Sequence, residues 1–121
     1  MPSKKRLFGD LGENTACSYL KKSGYSIIKR NYQTKFGEID IIAKKENQLI
    51  FIEVKSSNFD SEIPPEDNLT KAKIKKLLKT IELYLLSNRF SREIPHRLDL
   101  IAVKLDKNTQ KAKLKHFINI Y

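Results

Sequence analysis

The sequence is poor in the residues that staple or metallate small proteins. It has one cysteine, Cys17, and two histidines, His96 and His116. A lone cysteine forms no intrachain disulfide and builds no Cys-rich zinc site, and two histidines are too few for the usual histidine-based zinc centre. Long apolar runs are missing as well: no stretch reaches the ~18 residues that would span a bilayer. The N-terminus, MPSKKRLFGD, is basic but lacks the apolar segment and small-residue cleavage site of a secretory signal. The expected location is therefore the cytoplasm, with no membrane partner. No repeat, low-complexity stretch or long linker interrupts the 121 residues, so residues 1–121 read as a single domain.

Acidic residues are also in deficit. There are 14 against 24 basic ones, for a net charge of +10. A field of that sign attracts polyanions and speeds their encounter with the protein. The codon use of an AT-rich genome also enriches Lys, Ile and Asn, so charge alone does not decide for nucleic acid. The lysines are spread over several segments and form no separate amphipathic membrane anchor.

What is present is strongly periodic. Phe8, Leu11, Thr15, Ala16, Tyr19 and Leu20 recur at helical spacing, with Gly24 at a C-cap position, which predicts a helix over about 9–23. Strands are predicted at 25–32, 37–44 and 48–56, the last two joined by the hairpin connection Lys45–Asn47. Residues 57–68, with Pro64 and Pro65, read as a loop. A second helix follows over about 69–88, with an apolar stripe of Ile74, Leu77, Leu78, Ile81 and Leu85. Pro95 precedes a strand at 96–105, and a last strand at 112–120 is expected to pair with it. The order α-β-β-β-α-β-β predicts an α/β fold with helices on a mixed sheet.

The chemistry concentrates in the second and third strands. In 48–56, Leu49, Phe51, Glu53 and Lys55 share one face and Ile50, Ile52 and Val54 the other, so this reads as a central strand apolar on both sides. In the preceding strand Glu38, Asp40 and Ile42 share a face, with Ile39, Ile41 and Ala43 opposite. A turn at 45–47 places residues whose numbers sum to 92–93 across from each other, which makes Asp40 and Glu53 cross-strand neighbours. Two carboxylates beside a lysine suit Mg²⁺, a hard cation that shares its waters and a substrate phosphate. Lys55 would then orient or deprotonate the attacking water, or neutralise developing charge. The competing reading is a structural ion pair of Lys55 with Asp40 or Glu53, and no metal. Glu13, in line with Ala16, Cys17 and Leu20, points toward the sheet, although an acid near a helix N-terminus also fits the dipole.

Lys71, Lys73, Lys75, Lys76 and Lys79 crowd the start of the second helix, where they oppose the dipole. They make sense if phosphates lie there, Lys71, Lys73 and Lys75 being the named candidates, or else as a solvated face. Arg97 and Asp99, two apart on one strand face, are expected to pair structurally.

Several segments together carry a resemblance: Gly9 to Glu13 (G-x-x-x-E), Gly24-Tyr25, Asn31-Tyr32, GEID at 37–40, FIEVK at 51–55, Thr70 to Lys73 (T-x-x-K), Tyr84-Leu85 and Arg97 to Asp99 (R-x-D). With these the chain resembles the YraN-like family of bacterial proteins, grouped with the PD-(D/E)XK nuclease superfamily. The helix acid, the Asp and the E-x-K are also similar to those of archaeal Holliday-junction resolvases. That resemblance implies a restriction-endonuclease-like core, Glu13, Asp40 and Glu53 as ligands of Mg²⁺ or Mn²⁺, and Lys55 as catalytic lysine. It implies a metal-dependent endonuclease acting on DNA, with branched or damaged structures as candidate substrates and a homodimer as one way to make two cuts. Ser57 departs from the family, many members of which carry a basic residue there. The alternative on the same fold is a non-catalytic nucleic-acid-binding module or an adaptor in a DNA-processing complex.

Overall fold

The computed structural model describes residues 4–91, 93–106 and 108–121, with the side chains from Leu7 onward. Helix α1 runs Lys4–Lys22 and is followed by strands β1 (Ser26–Thr34), β2 (Gly37–Lys45) and β3 (Gln48–Asn58). A 3₁₀ turn at Pro65–Asn68 leads to helix α2 (Lys71–Ser87), and strands β4 (His96–Leu105) and β5 (Ala112–Phe117) complete the chain. The five strands form one sheet in sequence order. All neighbours are antiparallel except β3 and β4, which are parallel. A parallel pair needs a crossover, and α2 supplies it. The sheet is thus mixed and flanked by two helices, in the expected element order. None of the described helices is long and apolar enough to cross a membrane.

Each face of the sheet carries its own core. Ala16, Cys17 and Leu20 of α1 pack on Ile41, Ile50, Ile52, Ile101 and Val103. Leu77, Ile81, Tyr84 and Leu85 of α2 pack on Ile42, Leu49, Phe51 and Leu98. Ile50, Phe51 and Ile52 are fully buried, which makes β3 the central strand its two-sided apolar pattern predicts. Burying each such side chain contributes roughly 1.5–3 kcal/mol.

Three local features differ from the periodic reading. Helix α1 presents Gly12, Glu13, Ala16, Cys17 and Leu20 to the sheet, while Leu11 is 49% exposed. Gly12 explains the rotation: a Cβ there would overlap the Ser56 hydroxyl, so the helix approaches β3 along its glycine edge. Helix α2 starts at Lys71 because Thr70 is its N-cap, its hydroxyl accepting the Lys73 N–H at 3.3 Å. Strand β5 stops at Phe117, short of the expected 120. Beyond it Asn119 takes a left-handed φ of 56° and the chain turns back, the Asn119 and Ile120 amides donating to Asp99 and to the Leu98 carbonyl. The Gly24 cap behaves as expected: at φ 90° it lets the Tyr25 amide return to the Leu20 carbonyl.

Candidate active site

The β2–β3 hairpin has the register its short turn predicts. Ile42 pairs with Phe51 and Ile41 with Ile52, and the ladder ends there. One step further, where Asp40 and Glu53 would form the next rung, a side chain replaces the backbone: the Val54 amide donates to Asp40 Oδ2 at 2.8 Å. The strict alternation expected for β2 breaks at the same residue. Ile39 joins the α2 core and Ile41 the α1 core, although residues two apart on a regular strand share a face. Opposite this point on β1, Asn31 has a left-handed φ of 55°. Asn31 and Asp40 drop out of the β1–β2 ladder, although the register on either side is unchanged. Asparagine tolerates that conformation better than most residues, and its presence mid-strand is the one sign of the break in the sequence.

The break frees Asp40 from the pleat and brings it against Glu53. The carboxyl of Asp40 is set beside that of Glu53, an arrangement that favours a retained proton on Asp40. Burial first, then the bond to Glu53 and the charge of Glu53, push the Asp40 carboxyl up to about 8, against the opposing pull of the Val54 amide and Lys55. Lys55 Nζ lies 3.7 Å from Glu53 Oε2. Both side chains are largely but not wholly covered, Glu53 at 13% and Lys55 at 22% exposure.

Two cavities open onto this group from different sides. A cleft of about 600 Å³ is lined by Glu13, Asn31, Glu38, Asp40 and Lys55, among others. A smaller one of about 200 Å³ is lined by Glu53, Lys55, Lys73, Lys76 and Thr80. Lys55 borders both.

Glu13 lines the larger cleft as its helix position predicts, but it has a partner that sequence spacing did not reveal. Arg30 Nε on β1 donates to Glu13 Oε1 at 2.9 Å. Burial raises the Glu13 carboxyl, and the Arg30 hydrogen bond and charge offset this only in part, with the charge of Asp40 adding to the rise. Among the described residues, no three Asp, Glu, His or Cys side chains cluster closely enough to enclose a metal ion, so the acids meet as a pair and Glu13 stands apart with Arg30. Of the α2 lysines, Lys73 and Lys76 reach the smaller cavity, whereas Lys71 and Lys75 are exposed outside it. Arg97 and Asp99 pair as expected, at 2.9 Å.

The profile of "Uncharacterised protein family UPF0102" matches residues 12–103. The chain belongs to this family. A UPF0102 protein of Campylobacter jejuni is 50% identical over 106 residues, covering 88% of this chain and 91% of the relative. Those of Campylobacter fetus and Campylobacter lari are each 43% identical, over 107 and 106 residues, covering 88% of this chain and 92% and 91% of theirs. The matched UPF0102 span begins at Gly12, where α1 meets β3, and contains Glu13, Asp40, Glu53, Lys55 and Lys73.

Proposed function

We propose that this UPF0102 protein is a metal-dependent endonuclease of the PD-(D/E)XK type, hydrolysing phosphodiester bonds in DNA. The observation that carries the reading is the Asp40–Glu53 pair: two carboxyls set side by side at the end of a buried ladder, beside an ammonium, with Asp40 lining one cavity and Glu53 the other. A carboxyl raised by burial and by a second carboxyl beside it is one that a bound cation would relieve. Two hard oxygen donors there fit Mg²⁺ or Mn²⁺, which Asp40 and Glu53 would hold. When bound, such an ion supplies Lewis-acid polarisation of a phosphoryl oxygen and a more acidic water.

The protein's own groups divide the remaining work. The Val54 amide fixes the orientation of Asp40. Lys55, bordering both cavities, carries three N–H donors toward a phosphate oxygen or an attacking water. Lys73 and Lys76 on the α2 wall would hold the flanking phosphates as positioning charges. The test is cleavage of duplex, single-stranded, flapped and four-way DNA in Mg²⁺, Mn²⁺ or EDTA. Metal-dependent cutting of any of them supports the reading, and tight binding without cutting rejects it.

One observation favours a second reading, a binding module without catalysis. Glu13, the third acid, is already neutralised by Arg30. On that reading DNA binds equally well with or without divalent metal.

A further inference from the structure

A second basic groove lies on the same face of the sheet as Glu53 and Lys55, over β4 and β5. It has a volume of about 460 Å³ and is lined by Phe59, Pro65, Glu66, Lys104, Lys113 and Lys115, with Ala102 in its floor. The strand register ties it to the candidate site. Lys55 is level with Ala102, and Ala102 with Lys115; Ser57 is level with Lys104, and Lys104 with Lys113. Level neighbours share a face, and adjacent strands are about 4.8 Å apart, so Lys115 lies about 10 Å across the sheet from Lys55. Three ammonium groups face one carboxylate, Glu66, which pairs with Lys115 at 3.5 Å. Lys104 also donates to the Ser61 carbonyl at 3.3 Å. Phe59 adds an aromatic face, with Lys113 Nζ 5.9 Å from its ring centroid. Lys113 and Lys115 are exposed.

We propose that this groove holds an unpaired nucleic-acid strand leading to or from the candidate site, with Phe59 stacking a base and Lys104, Lys113 and Lys115 contacting its backbone. The proposal rests on the nucleic-acid reading above and narrows it to substrates with a single-stranded segment. Basic side chains alone would serve a duplex equally well. An aromatic face among them adds something a duplex cannot use, because paired bases keep their faces in the stack, whereas an exposed base stacks on any ring. The volume is that of a small-ligand site, suited to nucleotides taken singly.

The test is fluorescence anisotropy of the full chain in EDTA, with a short labelled single strand and the matching duplex. Phe59→Leu keeps an apolar side chain but no ring, and should weaken single-strand binding by about tenfold while changing duplex binding by less than about twofold. Lys113→Gln with Lys115→Gln, on exposed β5 positions that do not carry the core, should reduce the log–log salt slope for the single strand by about 1.4. Equal losses on both ligands in Phe59→Leu, or a salt slope unchanged in the double variant, overturn the groove. The nuclease reading fails separately. If wild type cuts no DNA yet both effects appear, the groove stands without it; if wild type cuts and neither effect appears, the groove falls and the nuclease remains.

Discussion

Asp40 and Asp99 are both acids set into the same sheet, and their surroundings are opposite. Asp99 is fully buried and fully partnered: it accepts from Arg97 at 2.9 Å, His116 Nε2 at 2.7 Å and the Asn119 amide at 2.9 Å. The network extends outward, with His116 Nδ1 2.8 Å from the Tyr19 hydroxyl and Arg97 bonded to Tyr25 and Gln48. Burial alone would raise the Asp99 carboxyl, but the bonds from His116, Arg97 and Asn119 outweigh it and hold the carboxyl below its ordinary value. Asp40 has one backbone donor and a second carboxyl, and is raised to about 8. The first arrangement supplies its own cation, Arg97, and joins β4, β5, α1 and the C-terminal turn. The second sets two carboxyls together, with one ammonium, Lys55, 3.7 Å from Glu53, and faces two cavities. Burial of an acid therefore does not distinguish structure from site; the sign of what surrounds it does.

The largest effect expected is on catalysis. Lys55→Ala should lower single-turnover DNA cleavage by about 10²–10⁴-fold, while equilibrium binding changes by no more than about 1–2 kcal/mol. A Lys55→Ala protein that cuts at the wild-type rate would remove this lysine from the chemistry.

Next is stability at Asp99. Asp99→Ala strands a largely covered guanidinium and removes the acceptor of His116 and the Asn119 amide, and should cost about 3–5 kcal/mol in denaturant unfolding. Asp40→Asn keeps an acceptor for the Val54 amide and relieves a carboxyl pair, so near neutral pH it should be neutral or stabilising. Equal losses in the two variants would erase the distinction between them.

The smaller effects lie in the pH dependence, where the two acids should tilt stability in opposite directions. Folded Asp40 keeps a proton that the unfolded chain releases near 3.8, so its contribution is full below that pH and declines as pH rises toward about 8. Folded Asp99 binds its proton less readily than the unfolded chain, so its contribution is present above 3.8 and is lost as pH falls below it. Thermal midpoints of wild type and Asp40→Asn from pH 4 to 8 should converge at the acid end and separate in favour of the variant at the alkaline end. Parallel curves would contradict the raised Asp40.

Much of this was legible in the sequence, for identifiable reasons. A turn as short as Glu46-Asn47, one residue shorter than the connection expected, leaves the β2–β3 hairpin little choice of register, so Asp40 and Glu53 follow from counting. Period-two patterning marks β3 as central, and the two-residue spacing of Arg97 and Asp99 places them on one face. What was hidden depends on distant contacts or on a break in period. Leu11 matches the helical stripe as well as Gly12 does, and only the close approach to Ser56 selects the glycine edge. Ile39 looks like any strand residue until Asn31 turns left-handed beside it. Arg30 reaches Glu13, and His116 reaches Asp99, from seventeen residues away in each case, beyond any periodic signal.

The most direct measurement of the account is calorimetric titration with Mn²⁺ or Mg²⁺ at pH 7, in buffers of different ionisation enthalpy. A protonated Asp40–Glu53 pair that takes up a divalent ion must release on the order of one proton as it does so, and Asp40→Asn should lose both the release and most of the affinity. Binding without proton release, or binding unchanged in Asp40→Asn, would contradict the assignment of this pair as the metal site.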